Sequence, residues 1–324
     1  MTPLFQKLDE TSSYSLQIDN SSLELFTTCP TQALFAKIYR RVKSGDRLPL
    51  IYGAAIHAGL EAYYSHAHTF NEDIIHAIYA EFSGTTNEFS NWRTPELACE
   101  ALESYISHYS SDTWHILRDQ AQKPLVEIPF SVPLGVVEVD DEFIGPPDYL
   151  SQLFAYPDST YVHNIHVYWT GKIDLIIKDE SDIWIVDHKT TSILSKSFFD
   201  DFHLNQATIG YVWAARTLSY PAVGLILNII AARAPSKTGT HLEFERRRFF
   251  YPSHRLDEFV PNTLSIVTNF IQQILHNDFP RHTKWCCGKY GTCQFHDVCL
   301  APPSHRLQIL NSPSFTTSTW SPLT

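Results

Sequence analysis

The chain has no apolar run long enough to cross a membrane. Its longest, Val223 to Ala232, is interrupted by Asn228 and falls well short of the ~20 residues a spanning helix needs. It also lacks a signal-peptide pattern, because residues 1–22 are polar and acidic. The expected setting is therefore cytoplasmic and reducing. Positive charge is scarce: 24 Lys and Arg face 35 Asp and Glu, a net charge of −11. That balance argues against a broad electrostatic attraction to nucleic acid. Internal repeats are absent too. With 324 residues, 44% of them hydrophobic and 18% charged, the chain can bury a large core as one elaborated globular domain or a domain with arms.

What is present is concentrated in residues 171–191, GKIDLIIKDESDIWIVDHKTT. Two short apolar strands are joined by a polar turn. Side chains alternate along a strand, so Asp187 and Lys189 share a face, and a hairpin can bring Asp174 beside them. Both acids sit in apolar surroundings, Asp174 between Ile173 and Leu175, Asp187 at the end of Ile183 to Val186. An Asp-x-Lys triplet alone is an accident-prone signal, and its ordinary meaning is a surface salt bridge. A buried carboxylate, however, needs compensation, and a bound cation supplies it. Oxygen ligands of this kind suit Mg²⁺ or Mn²⁺, with a nearby lysine orienting water or steadying charge on phosphorus. The chemistry indicated is metal-assisted phosphodiester hydrolysis.

These residues resemble the PD-(D/E)XK nuclease superfamily, and within it the RecB-like exonuclease group. Gly171, Ile173 and Asp174, then Val186, Asp187, His188, Lys189 and Thr190, carry the likeness. Gly53 to His57 with Leu60 and Glu61 resembles that family's helix bearing a metal-binding histidine; His57 and Glu61 lie one turn apart on one face. Asn205, Gln206 and Tyr211 resemble its Gln-x-x-x-Tyr helix, which contacts DNA, although Gln206 and Tyr211 are five apart instead of four. Glu127, in Val126-Glu127-Ile128-Pro129, resembles a further strand position near the metal. The resemblance implies Asp174, Asp187 and Lys189 as catalytic residues. It implies His57, Asp174, Asp187 and the carbonyl of His188 as ligands of Mg²⁺ or Mn²⁺, and Gln206 and Tyr211 as DNA contacts.

The six cysteines are not a disulfide framework. Five fall in two places, Cys29 near the start and Cys286, Cys287, Cys293 and Cys299 near the end. Clustered thiols in a reducing setting usually hold metal. The spacing Cys287-x5-Cys293-x5-Cys299 offers three ligands and Cys29 a fourth, while Cys99 reads as a small buried residue. In the iron-sulfur branch of RecB-like nucleases, with AddB-type and CRISPR-associated relatives, one cysteine precedes the core and three follow it. That likeness implies a [4Fe-4S] cluster on Cys29, Cys287, Cys293 and Cys299, with Cys286 as the alternative to Cys287 and zinc as the alternative metal.

The expected fold is α/β: a central mixed sheet flanked by helices, a restriction-endonuclease-like core, with a helical N-terminal region and a cysteine-rich C-terminal arm. Residues 1–20 are expected as an arm, 21–300 as the nuclease domain with its ends joined by the cluster, and 301–324 as a flexible tail. An insertion is expected over 136–161. Basic patches at Lys37 to Arg47 and at Arg233, Lys237 and Arg246 to Arg248 are candidates for a DNA path. The expected function is a DNA exonuclease acting on single strands or ends in recombination or repair, beside a recombination or helicase partner. The rivals are a structure-specific endonuclease and a catalytically silent iron-sulfur DNA-binding subunit.

Overall fold

The computed structural model describes residues 5–8, 13–45, 48–67, 69–83, 92–142, 161–236, 239–288 and 291–318. The chain divides into two compact units. The first comprises Met1–Gly45, Pro129–Gly171 and Asp257–Thr324. In it β1 (Phe5–Lys7) pairs antiparallel with β2 (Ser13–Ile18), which runs parallel to the first half of β6 (Tyr161–Asp179), from Ser13 opposite Asn164 to Ile18 opposite Trp169. Helix α1 (Asn20–Thr28) starts where the Asp19 carboxylate accepts the Ser22 N–H at 2.8 Å, the usual device for a helix's orphan donors. Helix α2 (Pro30–Ala33) runs on into a π-helical turn, Leu34–Ile38. Most of the long helix α7 (Ser253–Leu275) lies in this unit, where Phe259 packs edge-on to Trp169 and Phe270 stacks on Phe26.

The outer segments of this unit are more ordered than their composition indicates. Residues 1–20 contain two strands, and β2 is almost wholly buried. In the expected tail, α9 (Pro303–Leu310) is followed by β12 (Phe315–Thr317), which pairs antiparallel with β3 (Arg41–Lys43). Leu310 and Phe315 are buried, and the Phe315 ring stacks on Phe295. Two well-placed apolar residues thus anchor a stretch whose prolines, serines and threonines read as loose. Residues 319–324, and 143–160 of the expected insertion, lie outside the described residues; up to Glu142 the insertion's start is the end of β5 (Val126–Glu142).

The second unit, 46–128 and 172–256, holds a mixed sheet between helices. The second half of β6 and β7 (Asp182–Thr191) form a hairpin closed by Asp179 opposite Asp182, with Glu180 in the left-handed region at φ 54°. Strand β7 then runs parallel to β8 (Ala222–Ser236), and β8 antiparallel to β9 (Gly239–Phe250). Parallel neighbours need a crossover, and α6 (Gln206–Thr217), capped by Asn205, provides it. Short β4 (His115–Ile116) pairs with the far side of β6.

Both faces of the sheet's central strands are covered, which is why β7, β8 and the second half of β6 read as near-continuous apolar runs while the edge strand β9 alternates. On one face Leu175, Ile177, Trp184, Val186, Ile226 and Ile230 pack with α3 (Leu48–Ala62), α4 (Glu72–Glu81) and α5 (Pro95–His108). Residues of opposite parity, Ile176, Ile185, Leu225 and Leu227, are equally buried on the other face. At Gly224 the strands approach so closely that a Cβ would sit 2.1 Å from the Phe249 carbonyl oxygen. Gly224→Ala must therefore move backbone, and we expect a loss of about 1–3 kcal/mol in a urea titration. A change within about 0.5 kcal/mol, the scatter of neutral surface substitutions, would contradict that close approach.

Candidate active site and cysteine cavity

The site is built at one end of the apolar hairpin. Strand β7 delivers Asp187, 3% exposed, and Lys189, whose Nζ lies 2.7 Å from both Asp187 oxygens. Only Oδ1 receives it as an aligned hydrogen bond, so Oδ2 is buried without one. Strand β6 delivers Asp174, whose Oδ2 accepts the His188 backbone N–H at 2.7 Å. From α3, His57 brings Nδ1 to 3.7 Å from Asp174 Oδ2 and 3.6 Å from Glu127 Oε1. Glu127 sits at the start of β5 with φ 49°, a left-handed backbone that a non-glycine residue rarely takes. Its other oxygen is 3.2 Å from Lys172 Nζ.

The electrostatics follow from burial with few counter-charges. Burial pushes the Asp174 carboxyl up to about 6; the Asp187 charge adds to this, while His57 and Lys189 oppose it. Loss of hydration would lower the Lys189 ammonium, but the Asp187 and Asp174 carboxylates hold it above the ordinary lysine range. His57 is likewise raised against the cost of its burial, mainly by Asp174. His188 goes the other way, lowered far by burial and by the positive charge of His57.

A second layer fixes His188. Arg246 Nε donates to Asn228 Oδ1 at 2.9 Å, and Asn228 Nδ2 lies 2.6 Å from His188 Nδ1. An arginine can only donate, so the amide must present its NH₂ to the imidazole and Nδ1 must accept. Tyr64, on the π-helical turn Tyr63–Ala67 that continues α3, stacks on the His188 ring at 5.7 Å and meets Tyr105 Oη at 2.9 Å. Arg246 itself lies 3.4 Å from the Tyr109 ring centroid and 3.8 Å from that of Trp114, and pairs with Asp112.

His57, Glu127 and Asp174 form the one group of three or more His, Cys, Asp or Glu ligand atoms within 4.8 Å of one another among the described residues. One imidazole and hard carboxylate oxygens, with the ion-paired Asp187 carboxylate nearby, are a donor set for Mg²⁺ or Mn²⁺. The structure brings His57, Asp174, Asp187 and Lys189 near one another, as the hairpin and helix readings expected, and sets Glu127 beside His57. The signal was there: an acid between Val126 and Ile128, flanked as Asp174 is. Glu61 is exposed and outside this group. Gln206 opens α6 as a regular helical residue, so no bulge restores its facing with Tyr211, and five residues separate them by roughly 140°. Tyr211 lies within electrostatic reach of Lys189; Gln206 has its Oε1 buried without a hydrogen bond.

The expected DNA path along the arginine run has a different explanation. Arg246 is the buried strut just described, Arg247 pairs with Glu245 over the Phe199 ring, and Arg248 pairs with Asp179 over Trp184. Arg233 pairs with Glu243, and Lys37 is buried near Asp19 and Ser21. Arg47 and Lys237 lie outside the described residues.

In the first unit, four thiols line one cavity of ≈ 150 Å³: Cys29, Cys286, Cys293 and Cys299. Cys29 joins α1 to α2, Cys286 ends the turn Thr283–Trp285, Cys293 follows β11 (Gly291–Thr292), and Cys299 is on α8 (His296–Leu300). The Cys293 N–H donates to the Cys286 carbonyl at 2.8 Å. Burial raises the Cys299 thiol, and the neighbouring thiols of Cys293 and Cys29 push it the same way. The Cys287 side chain lies outside the described residues; its backbone forms β10 (Cys287–Gly288).

Cation binding at His57, Glu127 and Asp174 requires both the Asp174 carboxyl, raised to about 6, and the His57 imidazolium, raised above the ordinary histidine range, to shed their protons, so affinity rises with pH through both titrations. Below both, two protons are released per ion bound, about a hundredfold in affinity per pH unit. Mn²⁺ calorimetry between pH 5 and 7.5 checks this, and a flat profile would contradict it.

The PD-(D/E)XK nuclease superfamily model matches residues 20–300. A solved structure described as a "Putative exonuclease" from Eubacterium rectale shares 11% identity over 92% of this chain and 93% of its own, with a TM-score of 0.44. The protein SSO0001 shares 11% over 80% of this chain and 79% of its own, with a TM-score of 0.28. No curated protein matches the chain. The family match spans the hairpin acids, the His57 helix and the strands that support them, and on that match the chain belongs to the PD-(D/E)XK nuclease superfamily.

Proposed function

We propose that the chain is a divalent-metal-dependent deoxyribonuclease that degrades DNA from its ends, with single strands as the preferred form. The observation that carries this reading is the convergence of Asp174, Asp187 and Lys189 on one hairpin end with His57 and Glu127 beside them. His57, Glu127 and Asp174 would hold Mg²⁺ or Mn²⁺, with Asp187 and the His188 carbonyl completing the oxygen donors. The ion, when bound, supplies Lewis-acid polarisation of the phosphate and a more acidic water. Lys189, kept charged by its carboxylate neighbours, orients that water through a donated hydrogen bond and offsets charge gathering on the phosphoryl oxygens. Tyr211, near Lys189, faces the strand being cut. The resemblance to RecB-like exonucleases supports a role in recombination or repair, beside a helicase or recombination partner.

DNA labelled at either end, single- and double-stranded, tests this with Mg²⁺, Mn²⁺ or EDTA. Metal-dependent shortening from an end is expected, reduced about 10²–10³-fold in Asp174→Ala and Lys189→Ala, the scale of losing a principal electrostatic contact to the transition state. Internal cuts in circular DNA would transfer the reading to an endonuclease, and no cleavage by folded protein would end it.

The first unit carries a [4Fe-4S] cluster on Cys29, Cys286, Cys293 and Cys299. Four thiolates suit zinc as well as iron, and it is the likeness to the iron-sulfur branch that favours the cluster. Its role is structural, since ligation contributes folding energy when the site is absent from the unfolded chain. Anaerobically purified protein is expected to be brown with about four iron atoms per chain. Cys286→Ser should lose the colour and lower the melting temperature, and Cys287→Ser should keep both. Colourless protein with one zinc would refute the cluster, and the reverse pattern would return the ligand to Cys287.

A further inference from the structure

Behind the site a row of polar residues crosses three strands. His188 on β7 lies opposite Asn228 on β8, and Asn228 lies opposite Arg246 on β9. Side chains alternate along each strand, so His188 and Asn228 share the helix-covered face with Val186, Ile226 and Ile230. Apolar residues would fill such a row without loss of hydration. Instead Asn228 is 0% exposed and His188 2%. Burying groups of this kind is costly unless each finds a partner, and a fully partnered network rigidifies what it touches.

What this network touches is the end of a ladder. Pairing between β6 and β7 runs from Asp179 opposite Asp182 to Leu175 opposite Val186. Two residues beyond Val186, the His188 N–H donates at 2.7 Å to the Asp174 side chain instead of to a strand partner, and its carbonyl lies 3.5 Å from Lys189 Nζ. A backbone carbonyl has no rotamer of its own, and its direction is that of the peptide plane. The His188 side chain anchors that plane from the opposite face. Asn228 Nδ2 grips its Nδ1 at 2.6 Å, and Tyr64 stacks on its ring. Both supports return to one residue. Arg246 Nε holds the Asn228 amide at 2.9 Å, while a second guanidinium nitrogen donates to Tyr105 Oη at 2.6 Å, which meets Tyr64 Oη at 2.9 Å. The circuit Arg246, Asn228, His188, Tyr64, Tyr105 is closed.

We propose that Asn228 and Arg246 are positioning residues for the metal site, fixing through the His188 ring the peptide units whose N–H holds Asp174 and whose carbonyl joins the oxygen donors. This role rests on the nuclease reading above and deepens it. Neither residue is itself a ligand. Partners one step removed from metal ligands set the direction of those ligands, and their loss typically costs about 10–100-fold in metal affinity or activity.

The test is Mn²⁺ calorimetry on the full chain without DNA, comparing Asn228→Ala, His188→Ala and the double variant, each well below its own melting temperature. Asn228→Ala is expected to weaken Mn²⁺ binding about tenfold. His188→Ala keeps the peptide and every proposed ligand, and should weaken binding by about as much. The double variant should bind no more weakly than either single one, because Asn228 acts through the ring that His188→Ala removes. Turnover of single-stranded DNA at limiting Mn²⁺ should fall in step and be recovered by excess Mn²⁺, with KM for DNA unchanged. Tyr64→Leu removes the stacking without taking an acceptor from Arg246, and a severalfold loss of Mn²⁺ affinity is expected there even if Asn228→Ala does not fold.

Folded variants that melt lower yet bind Mn²⁺ as the parent does would overturn the proposal, since the row would then only stabilise the sheet. So would losses that multiply to about a hundredfold in the double variant. The two readings fail separately. Mn²⁺ affinity that depends on Asn228 in a chain that cuts no DNA removes the nuclease assignment alone, and metal-dependent cleavage indifferent to these variants removes the positioning role alone. A parent chain that binds no Mn²⁺ ends both.

Discussion

Two carboxylates buried at the end of an apolar hairpin are the constraint around which the nuclease unit is arranged. Asp174 and Asp187 cannot both be charged there without help, because each loses hydration and repels the other. The unit supplies that help in layers. Lys189 pairs with Asp187, the His188 N–H and His57 reach Asp174, and Lys172 pairs with Glu127, the acid across from His57. The compensation is incomplete: Asp174 is still pushed up to about 6, and one Asp187 oxygen lacks a hydrogen bond. A site this short of positive charge is what a divalent cation would complete. Full neutralisation by another lysine would relieve the repulsion and leave the cation nothing to do.

The same logic explains why Arg246 is buried. His188 contributes its backbone to the site on both sides, its N–H to Asp174 and its carbonyl 3.5 Å from Lys189 Nζ. The residue must therefore be held in place through its side chain. Arg246 fixes the Asn228 amide, the amide fixes the imidazole tautomer, and Tyr64 closes over the ring. A charged His188 next to His57 would compete with a cation, and burial keeps it neutral. The aromatic box of Tyr105, Tyr109 and Trp114, together with Asp112, makes burial of the guanidinium tolerable. Arg246 therefore serves the active site from behind, through Asn228.

Much of this was legible in the sequence, and the reason is local. Strand parity fixes the common face of Asp187 and Lys189, and a two-residue turn fixes the hairpin that returns to Asp174, so neighbours along the chain settle the geometry. His57 was legible from helical spacing joined to a family likeness. What escaped depends on long-range packing. The run Arg246 to Arg248 reads as a basic patch, but each arginine meets an acid or an aromatic ring far away in sequence or across a strand. The ordered C-terminal stretch depended on Leu310 and Phe315, two apolar residues among many polar ones. That Cys286 lines a cavity with Cys29, Cys293 and Cys299 follows from the turn at Thr283–Trp285, which adjacent cysteines in a sequence do not encode.

The acidity of the chain remains in tension with a nucleic-acid substrate, and the structure sharpens that tension by consuming its most prominent arginines internally. Broad positive surfaces give affinity without register, whereas a few phosphate contacts near the scissile bond give register with little affinity. An enzyme that acts on ends gains more from register, because a chain end must be placed correctly at each step and then moved on. Weak general attraction is then an advantage, since strong attraction to duplex would hold the protein away from ends. A net charge of −11, with Lys172 and Lys189 held by the carboxylates of the site, fits contacts that align a strand better than contacts that attract it from a distance.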